Sequence, residues 1–440
     1  MGSCHTGERY LASLSFDPQT AATPGSRFYI KELTMTETKD NHLNSASTRS
    51  VHAGEQRNKP YHSLIDPIVP TSTYYFDSYE DICQFTQDKN NAQATERLEY
   101  GRYGNPTIRA VEHRLAALEA GEEALLFASG MAAVTTTLLT FLKAGDHIIF
   151  TDDIYRKTRE FGQNFLNRFG VESTVVAVGN EDELESEILK NTRLILSESP
   201  TNPYLRVVDV EKLVEIARKH GLLTLIDATF ATPINLRPLD YGIDLVLHSG
   251  TKYLGGHHDL LSGVVVGRKE LVDSIREHVN LMGAVADPYN AYLLLRGLKT
   301  LALRVRHQNQ AAMQLAEYLL AQPLVEQVYY PGLENHPDYA IAKRQMSGFG
   351  GVVSFTLRAD LERTARFLDR LKIPYITPSL GGAESLVSQP ALLSYYSISA
   401  EDRAAWGIKD NLVRYALGIE DVHDLITDLQ QAFDWLQNQS

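Results

Sequence analysis

A lysine directly follows an apolar run in the segment DLVLHSGTKYLGGHHD, where Lys252 has Ser249 and Thr251 as close neighbours. In open α/β sheets the reactive groups gather outside the carboxyl ends of the strands, and Lys252 falls just beyond one predicted end. The two hydroxyls donate hydrogen bonds without bulk, and Gly250 allows close backbone approach. A lone lysine is more often a solvated surface group, so its neighbours are what predict an amine held beside a bound anion.

A carboxylate occupies the corresponding position at the end of another apolar run. The run LLTLID ends in Asp227, and the small residues Ala228 and Thr229 follow. A carboxylate alone might only cap a turn. Beside a strand-end lysine it suits pyridoxal phosphate, because the ring nitrogen of that cofactor needs an acidic partner and its aldehyde needs an amine. We therefore predict a pyridoxal-phosphate site that includes Lys252, Asp227 and Thr229.

The segment LLFASGMAAVTTTLL predicts where the cofactor phosphate binds. A predicted strand leads into Ser129, Gly130 and Met131, and a helix of small residues follows. Glycine lets backbone N–H groups face the anion, and the helix start adds the positive end of its dipole. Many such turns bind nothing, so this segment counts only together with Lys252 and Asp227.

Seven short apolar runs alternate with amphipathic segments, which predicts a large, mainly parallel α/β sheet with crossover helices. The predicted strands span 124–128, 147–150, 174–178, 194–196, 222–226, 245–247 and 264–266. One crossover helix is predicted with Asp209 as its cap and Gly221 as its stop. After Pro288 a pattern that is helical throughout, mildly interrupted by Gly297, continues to Pro323.

Charge and composition argue against several classes of partner. The formal net charge is −13 and no long block of Lys and Arg is present, so nucleic acid is not an expected partner. No apolar run approaches the roughly 20 residues needed to cross a bilayer, so we expect a soluble protein without a membrane partner. The adjacent residues His257, His258 and Asp259 point apart on an extended chain and predict no metal site.

Cysteine usage and the N-terminal residues bear on the compartment. Only Cys4 and Cys83 are present, which suits a reducing cytosol better than a disulfide framework. The first residues contain no apolar signal-peptide core, and Glu8, Asp17 and Glu32 argue against a plastid transit peptide. We therefore predict a cytoplasmic protein.

Eight segments resemble the pyridoxal-phosphate enzymes of cysteine and methionine metabolism, in particular the plant-type gamma-synthase branch of that family. They are EYGRYGNPT, ASGMAA, YRKTR, SESPTNP, DATFATP, HSGTKYLGGHHD, PSLGGAESL and DNLVRYALGIED, in consistent order over about residues 48–437. The resemblance implies an α/β transferase of fold type I. We predict a disordered leader over 1–47, an arm contacting a neighbouring subunit over 48–105, a large cofactor-binding domain over 106–300 and a small C-terminal α/β domain over 301–440.

The resemblance also implies roles at the cofactor. Lys252 would form a Schiff base with the aldehyde, Asp227 would contact the ring nitrogen, and Tyr155 would stack on the ring and help to activate the incoming amino acid. The implied phosphate ligands are Gly130, Met131, Ser249 and Thr251. Tyr100 and Arg102 would reach the cofactor phosphate of the neighbouring subunit, so a dimer would be the active unit, commonly doubled to a homotetramer.

Further residues match substrate-binding positions of the family. The predicted substrate-binding residues are Arg414, Ser379, Leu380, Asn202, Glu384 and Lys157. Arg414 would clamp the α-carboxylate as a planar bidentate donor, with Ser379 and Asn202 assisting. Glu384 would receive the amino group of cysteine, unless it is a solvated loop carboxylate. Lys157, beside Tyr155, suggests a distal anion on the substrate, for which phosphate is favoured.

The implied reaction is gamma-replacement on an activated homoserine by cysteine, giving cystathionine, as in methionine biosynthesis. O-phosphohomoserine is the favoured substrate, ahead of O-acyl homoserines, and Lys252 would act as a mobile acid and base. The alternatives are a gamma-lyase, or a synthase that uses another nucleophile. A non-catalytic binding protein is disfavoured because Lys252, Asp227, Tyr155 and Arg414 are all present. Two positions depart from the family pattern: Gly250 replaces Ala, and His258 replaces Asn.

Overall fold

The computed structural model describes residues 45–91 and 97–438. All of these residues belong to one compact unit, Asp40–Ser440. The predicted leader over 1–47 therefore lies almost entirely outside the described residues. The predicted boundaries between arm, large domain and small domain stay predictions.

The larger sheet has seven strands within the described residues. They are β1 (Glu123–Phe127), β2 (His147–Thr151), β3 (Glu172–Val176), β4 (Thr192–Glu198), β5 (Leu223–Asp227), β6 (Leu245–Ser249) and β7 (Gly263–Gly267). Their order is β1-β7-β6-β5-β4-β2-β3, and only the two pairs made by β7 are antiparallel. The predicted seven-stranded, mainly parallel sheet is confirmed, because every predicted strand overlaps an observed one.

Apolar residues lie on both faces of this sheet because helices cover both faces. The helices are α1 (Ala46–His52), α2 (Tyr79–Asn90), α3 (Pro106–Glu119), α4 (Gly130–Phe141), α5 (Arg156–Glu160), α6 (Glu181–Ser186), α7 (Val210–His220), α8 (Thr232–Asn235), α9 (Lys269–Met282), α10 (Pro288–Leu298), α11 (Leu301–Leu320), α12 (Tyr339–Gln345), α13 (Leu361–Leu368), α14 (Pro390–Leu393), α15 (Ala400–Ala405) and α16 (Val422–Gln437). Throughout the described parts of the chain, no helix combines the length and apolar character that a membrane span requires.

A second, smaller sheet follows in the chain. Its strands are β8 (Val325–Tyr329), β9 (Val352–Leu357), β10 (Tyr375–Ile376), β11 (Leu386–Ser388) and β12 (Leu412–Ala416). Within the described residues they are ordered β10-β11-β12-β9-β8, and β10–β11 is the one parallel pair. The helices α11, α13 and α16 pack on this sheet through a shared apolar core. The α/β class of the C-terminal part therefore agrees with the prediction.

Two predicted helix boundaries had different outcomes. The crossover helix α7 has Asp209 as its cap, accepting from Lys212 N, and ends at Gly221 in the left-handed conformation, as predicted. The pattern after Pro288 was expected to be helical throughout, but α10 ends at Leu298 and α11 begins at Leu301. A Cβ at residue 297 would overlap the carbonyl oxygen of Gly255, so the glycine allows α10 to pack against the segment that follows Lys252.

Candidate active site

The site is built around the carboxyl ends of neighbouring strands. β5 ends in Asp227 and β6 ends in Ser249, and Lys252 follows one turn later with its N–H donating to the Ser249 carbonyl at 3.1 Å. The Nζ atom of Lys252 donates to Ser379 Oγ at 2.8 Å. Burial, and then the nearby charge of Arg414, lower the pKa of Lys252 to about 8. Such an amine can take up and release a proton near neutral pH.

Thr229 links the Asp227 carboxyl to β6. Its N–H donates to Asp227 Oδ1 at 3.0 Å, and its hydroxyl donates to the same oxygen. The Thr229 hydroxyl oxygen in turn accepts from Ser249 N at 2.8 Å. Within the described residues Asp227 Oδ2 accepts no hydrogen bond. Burial raises the pKa of Asp227, so a cationic partner at Oδ2 would favour its charged form.

The start of α4 faces the end of β6. Ser129 caps the helix, with its Oγ accepting from Ala132 N at 3.1 Å. A Cβ added at Gly130 would lie 3.1 Å from the Ser249 Cβ, so glycine is what allows this close approach. The unpaired N–H groups of the first turn therefore lie beside the Ser249 side chain, which is the arrangement that binds a phosphate.

The two other predicted phosphate ligands lie next to this turn. Met131 Sδ accepts from the Thr158 hydroxyl at 3.9 Å. The Thr251 hydroxyl accepts from Ser262 N at 3.0 Å, which ties the segment after β6 to the segment before β7. Both residues thus have internal contacts that hold them close to the helix start.

Arg414 belongs to the second sheet and contributes its side chain to the site. It lies on β12, is only 7% exposed, and donates from Nη1 to Asn202 Oδ1 at 3.0 Å and from Nη2 to the Ser379 carbonyl at 3.1 Å. Ser379 has a φ of +134°, a strained conformation for a residue with a side chain. The structure therefore brings together Arg414, Ser379, Asn202 and Lys252, four residues that the sequence singled out.

Tyr155 contacts an acidic residue that the sequence analysis missed. Its N–H donates to Glu198 Oε2 at 2.8 Å, while its side chain is 46% exposed. Glu198 is 3% exposed and pairs in register with Asp227 across β4 and β5. Nearby, Asp153 accepts from the Thr201 hydroxyl at 2.6 Å, and burial raises its pKa to about 6. The acidic end of TRLILSE was the available signal for Glu198, because adjacent parallel strands end together.

A cleft of about 850 Å³ opens beside Ser379 and Thr251. Glu384 lines it, is 54% exposed at its side chain, and has Oε2 3.8 Å from His258 Nε2. The φ of His258 is +57°, a left-handed conformation that Asn also adopts readily. A Cβ at Gly382 would overlap the His258 ring. Histidine is thus compatible with this left-handed conformation, and its ring lies beside Gly382, where a Cβ would not fit.

The remaining predicted substrate-binding residues lie outside this cluster. Lys157 Nζ is 2.8 Å from Glu160 Oε2, and the two side chains are 49% and 44% exposed. Leu380 is 3% exposed and packs in the apolar core beneath the second sheet. Their roles in substrate binding stay predictions.

Tyr100 and Arg102 lie on the arm and make no hydrogen bond to the residues around Lys252. Tyr100 is 41% exposed. Arg102 donates to the Asn280 carbonyl, and its guanidinium lies 4.8 Å from the centre of the Tyr103 ring. Their predicted role at the cofactor phosphate of a neighbouring subunit stays a prediction.

The residues of the site fit pyridoxal phosphate on three structural grounds. Among the described residues Asp227 Oδ2 accepts no hydrogen bond. A Cβ at residue 130 would crowd the Ser249 side chain, so glycine leaves room for an anion there. The Lys252 amine has a lowered pKa. Together they offer an anion for the ring nitrogen, N–H donors for the phosphate and a nucleophile for the aldehyde.

Three comparisons with known proteins agree with this fit. The family model for Cys/Met metabolism PLP-dependent enzymes matches residues 47–434. The chain is 46% identical to cystathionine gamma-synthase 1, chloroplastic, of Arabidopsis thaliana, over 94% of this chain and 73% of the relative. It is 42% identical to L-methionine gamma-lyase of Fusobacterium nucleatum subsp. nucleatum, over 88% of this chain and 97% of the relative.

A solved structure shares the fold. The crystal structure of cystathionine gamma synthase from Xanthomonas oryzae pv. oryzae in complex with cystathionine superposes with a TM-score of 0.84 at 35% identity. The match covers 90% of this chain and 99% of the other. The similarity thus extends over both sheets and over every element that contributes to the site.

Proposed function

Because this chain belongs to the family of Cys/Met metabolism PLP-dependent enzymes, we propose that it catalyses gamma-replacement on an activated homoserine. The γ-carbon–oxygen bond breaks first, and cysteine sulfur then bonds to the γ-carbon and gives up its proton, so that the products are cystathionine and the released acid. O-phosphohomoserine is the favoured substrate, and O-acyl homoserines come second. The observation that carries the proposal is the network in which Lys252 donates to Ser379 while the Ser379 carbonyl accepts from Arg414.

Different residues of the chain would hold different parts of the cofactor. When bound, pyridoxal phosphate supplies an aldehyde for the substrate amine and a cationic ring that accepts electrons. Asp227 would hold the ring nitrogen, and Lys252 would hold the aldehyde. The proposed phosphate ligands are Ser129, Gly130, Met131, Ser249 and Thr251. Thr229 would orient Asp227, since it donates two hydrogen bonds to Oδ1.

Lys252 is the proposed base and acid. Its Nζ atom would take the proton from the substrate α-carbon, release it, take one from the β-carbon, and return a proton to each carbon after the sulfur has added, which a pKa of about 8 permits. Arg414 would hold the α-carboxylate with Asn202 and Ser379. The hydrogen bond from Lys252 to Ser379 would then keep the amine close to the α-carbon. Tyr155 would accept the proton of the incoming amino group.

Two residues are proposed to bind the far end of the substrates. Glu384, exposed in the cleft, would receive the ammonium group of cysteine. Lys157 would bind the phosphate of O-phosphohomoserine after releasing Glu160, an exchange that costs little because an exposed ion pair contributes only about 0–1 kcal/mol. Leu380 would support Ser379 from the core side.

We propose a homotetramer made of two active dimers, with the arm over 48–105 between subunits. Large apolar side chains on the arm are strongly exposed in one chain: Tyr61 is 95% exposed, Leu64 is 87% exposed and Tyr75 is 85% exposed. Contacts between subunits over this segment would bury these side chains and remove their apolar surface from water. Tyr100 and Arg102 would then reach the cofactor phosphate of the partner. The proposed large domain over 106–300 and small domain over 301–440 each contain one of the two sheets.

The cytoplasm is the proposed compartment. It is supported by the low cysteine content, which suits a reducing compartment. The location of a fluorescent fusion of the full chain would test it.

A gamma-lyase is the second candidate, because a relative of that activity is 42% identical over nearly its whole length. Both reactions break the bond at the γ-carbon and differ in whether cysteine is incorporated. The deciding assay supplies O-phosphohomoserine with and without cysteine and quantifies cystathionine, phosphate, oxo acid and ammonia. Cystathionine in equal amount to phosphate supports the synthase. Oxo acid formation that cysteine does not reduce would reject it in favour of the lyase.

A further inference from the structure

The carboxyl side chains of Glu198 and Asp227 lie next to each other at the carboxyl ends of two neighbouring strands, β4 and β5. Only Asp227 has a proposed role so far. Glu198 is the last residue of β4 and is paired in register with Asp227, the last residue of β5. Neighbouring residues of adjacent parallel strands that pair in register place their side chains on the same face. Glu198 is also 3% exposed, so water cannot screen its charge.

The contacts of Glu198 point to positioning. Its Oε2 accepts from Tyr155 N at 2.8 Å, at the residue where the segment after β2 enters α5. Tyr155 has no side-chain cap of its own there, so Glu198 satisfies an N–H group at the helix start. This bond holds the backbone from which the Tyr155 ring extends.

The charges around Glu198 disfavour a second anion. The charges of Asp227 and Asp153 raise the pKa of Glu198, and the charge of Arg414 lowers it. Arg414 already donates to Asn202 and Ser379, and in the described part of the chain it forms no ion pair with Glu198. A buried carboxylate with no paired cation and a like charge beside it takes up a proton instead.

We propose that Glu198 holds Tyr155 in place as an uncharged carboxylic acid, so that Asp227 is the one of this pair that carries negative charge toward the cofactor. This inference rests on the proposed position of Tyr155 beside the ring. Asp227 is the better anion of the pair because it accepts two hydrogen bonds from Thr229, whereas Glu198 accepts one from Tyr155. Glu198 Oε1 makes no hydrogen bond within the described residues and can carry the proton.

Protonation of Glu198 has electrostatic support. Its pKa is raised well above the ordinary value, first by burial and next by the charge of Asp227. Tyr395 is 9% exposed, and mainly burial raises its pKa to about 12. It therefore stays uncharged and brings no positive charge to Glu198.

The test compares Glu198→Gln with Glu198→Ala in the cofactor-loaded protein. Glutamine keeps the shape and an acceptor for Tyr155 N without a charge. We expect Glu198→Gln to keep the visible absorbance band of the bound cofactor, with the pH midpoint of that band unchanged. Glu198→Ala leaves the N–H unpaired and is expected to lower kcat/KM about tenfold or more, because the backbone that carries the Tyr155 ring is then no longer held in place.

Asp428→Asn is the matched control, because Asp428 is also a buried carboxyl group. It accepts hydrogen bonds from the backbone N–H groups of Lys372 at 2.9 Å and Ile373 at 3.0 Å. It lies on α16, far along the chain from Glu198. The Asp428→Asn variant is expected to lower the Tm and leave the absorbance midpoint unchanged. A midpoint shift of about one pH unit or more in Glu198→Gln would overturn the inference, because only a charged Glu198 could cause it. If the absorbance results hold but no cystathionine forms, the proposed reaction fails and this inference stands.

Discussion

Lys252 Nζ donates to Ser379 Oγ at 2.8 Å although 127 positions separate the two residues. Lys252 follows the last residue of β6 in the large sheet, and Ser379 lies in the loop between β10 and β11 of the second sheet. The Ser379 carbonyl also accepts from Arg414. One residue in a strained conformation therefore couples the proposed base to the proposed carboxylate clamp.

Replacement of the lysine tests the basis of the site. Lys252→Ala is expected to abolish the visible absorbance band of the cofactor-loaded protein, because no other amine takes the position of Nζ. Turnover should fall about 10²–10⁴-fold, the usual effect of removing a general acid–base group. Absorbance spectra and a turnover assay measure the two effects, and mass spectrometry of peptides after borohydride reduction of the unaltered protein locates the lysine that binds the cofactor. A reduced label on any peptide other than the one containing residue 252 would contradict the assignment.

The free energy of unfolding of the cofactor-free protein should rise between about pH 8 and pH 10.5. Folding lowers the pKa of Lys252 from 10.5 to about 8, so in this range the unfolded chain binds more protons than the folded chain. Below this range the full cost of the buried charge applies, and above it the amine is neutral in both states. Urea unfolding across the range measures the effect.

Lys252→Met is the control for that titration, because methionine is neutral at every pH and is an unbranched side chain only one atom shorter than lysine. The difference in unfolding free energy between the two proteins isolates the lysine from other groups that titrate at high pH. A difference that stays flat from pH 8 to pH 10.5 would show that folding leaves the lysine pKa unchanged.

The carboxylate clamp should depend on the planar fork of arginine. Arg414→Lys removes one of the two contacts, to Asn202 Oδ1 or to the Ser379 carbonyl. A hydrogen bond of a charged group contributes about 1.5–3 kcal/mol, so KM for the amino-acid substrate should rise about 10- to 100-fold. Arg366→Lys is the matched control, since Arg366 is 62% exposed and pairs with Glu362 on a surface helix. Equal KM values for both variants would be incompatible with the clamp.

Gly250 and Ser262 should be energetically coupled. A Cβ at residue 250 would overlap Ser262 Oγ, and among residues 45–91 and 97–438 that buried hydroxyl has no hydrogen-bond partner. Gly250→Ala is expected to reduce the free energy of unfolding by about 1–3 kcal/mol through overpacking. Ser262→Ala in the same chain should restore most of the loss, because it removes the overlapping atom. Denaturant unfolding of the two single variants and the double variant measures the coupling, and simple additivity would contradict it.

The arrangement of strands was accessible from the sequence for a specific reason. Strands covered by helices on both faces appear as continuous apolar runs, and each of the seven runs coincides with a strand. The caps of α7 were equally accessible, because Asp209 and Gly221 act within a few residues of the backbone they serve. The break between α10 and α11 was missed, since Lys299 and Thr300, which separate the two helices, carry no strong helix-breaking signal such as proline.

The sequence by itself determined which groups stand at the strand ends, because strand boundaries and the order of residues just beyond them are local properties. It therefore identified Lys252, Asp227 and Gly130, and its longer motifs identified the family. Tertiary structure alone decided which distant groups meet. The contact of Glu198 with Tyr155 and the bonds of Ser379 to Lys252 and Arg414 arise from strand order and from the docking of a second sheet. Burial, which lowers the pKa of Lys252 to about 8, is likewise a property of the folded chain.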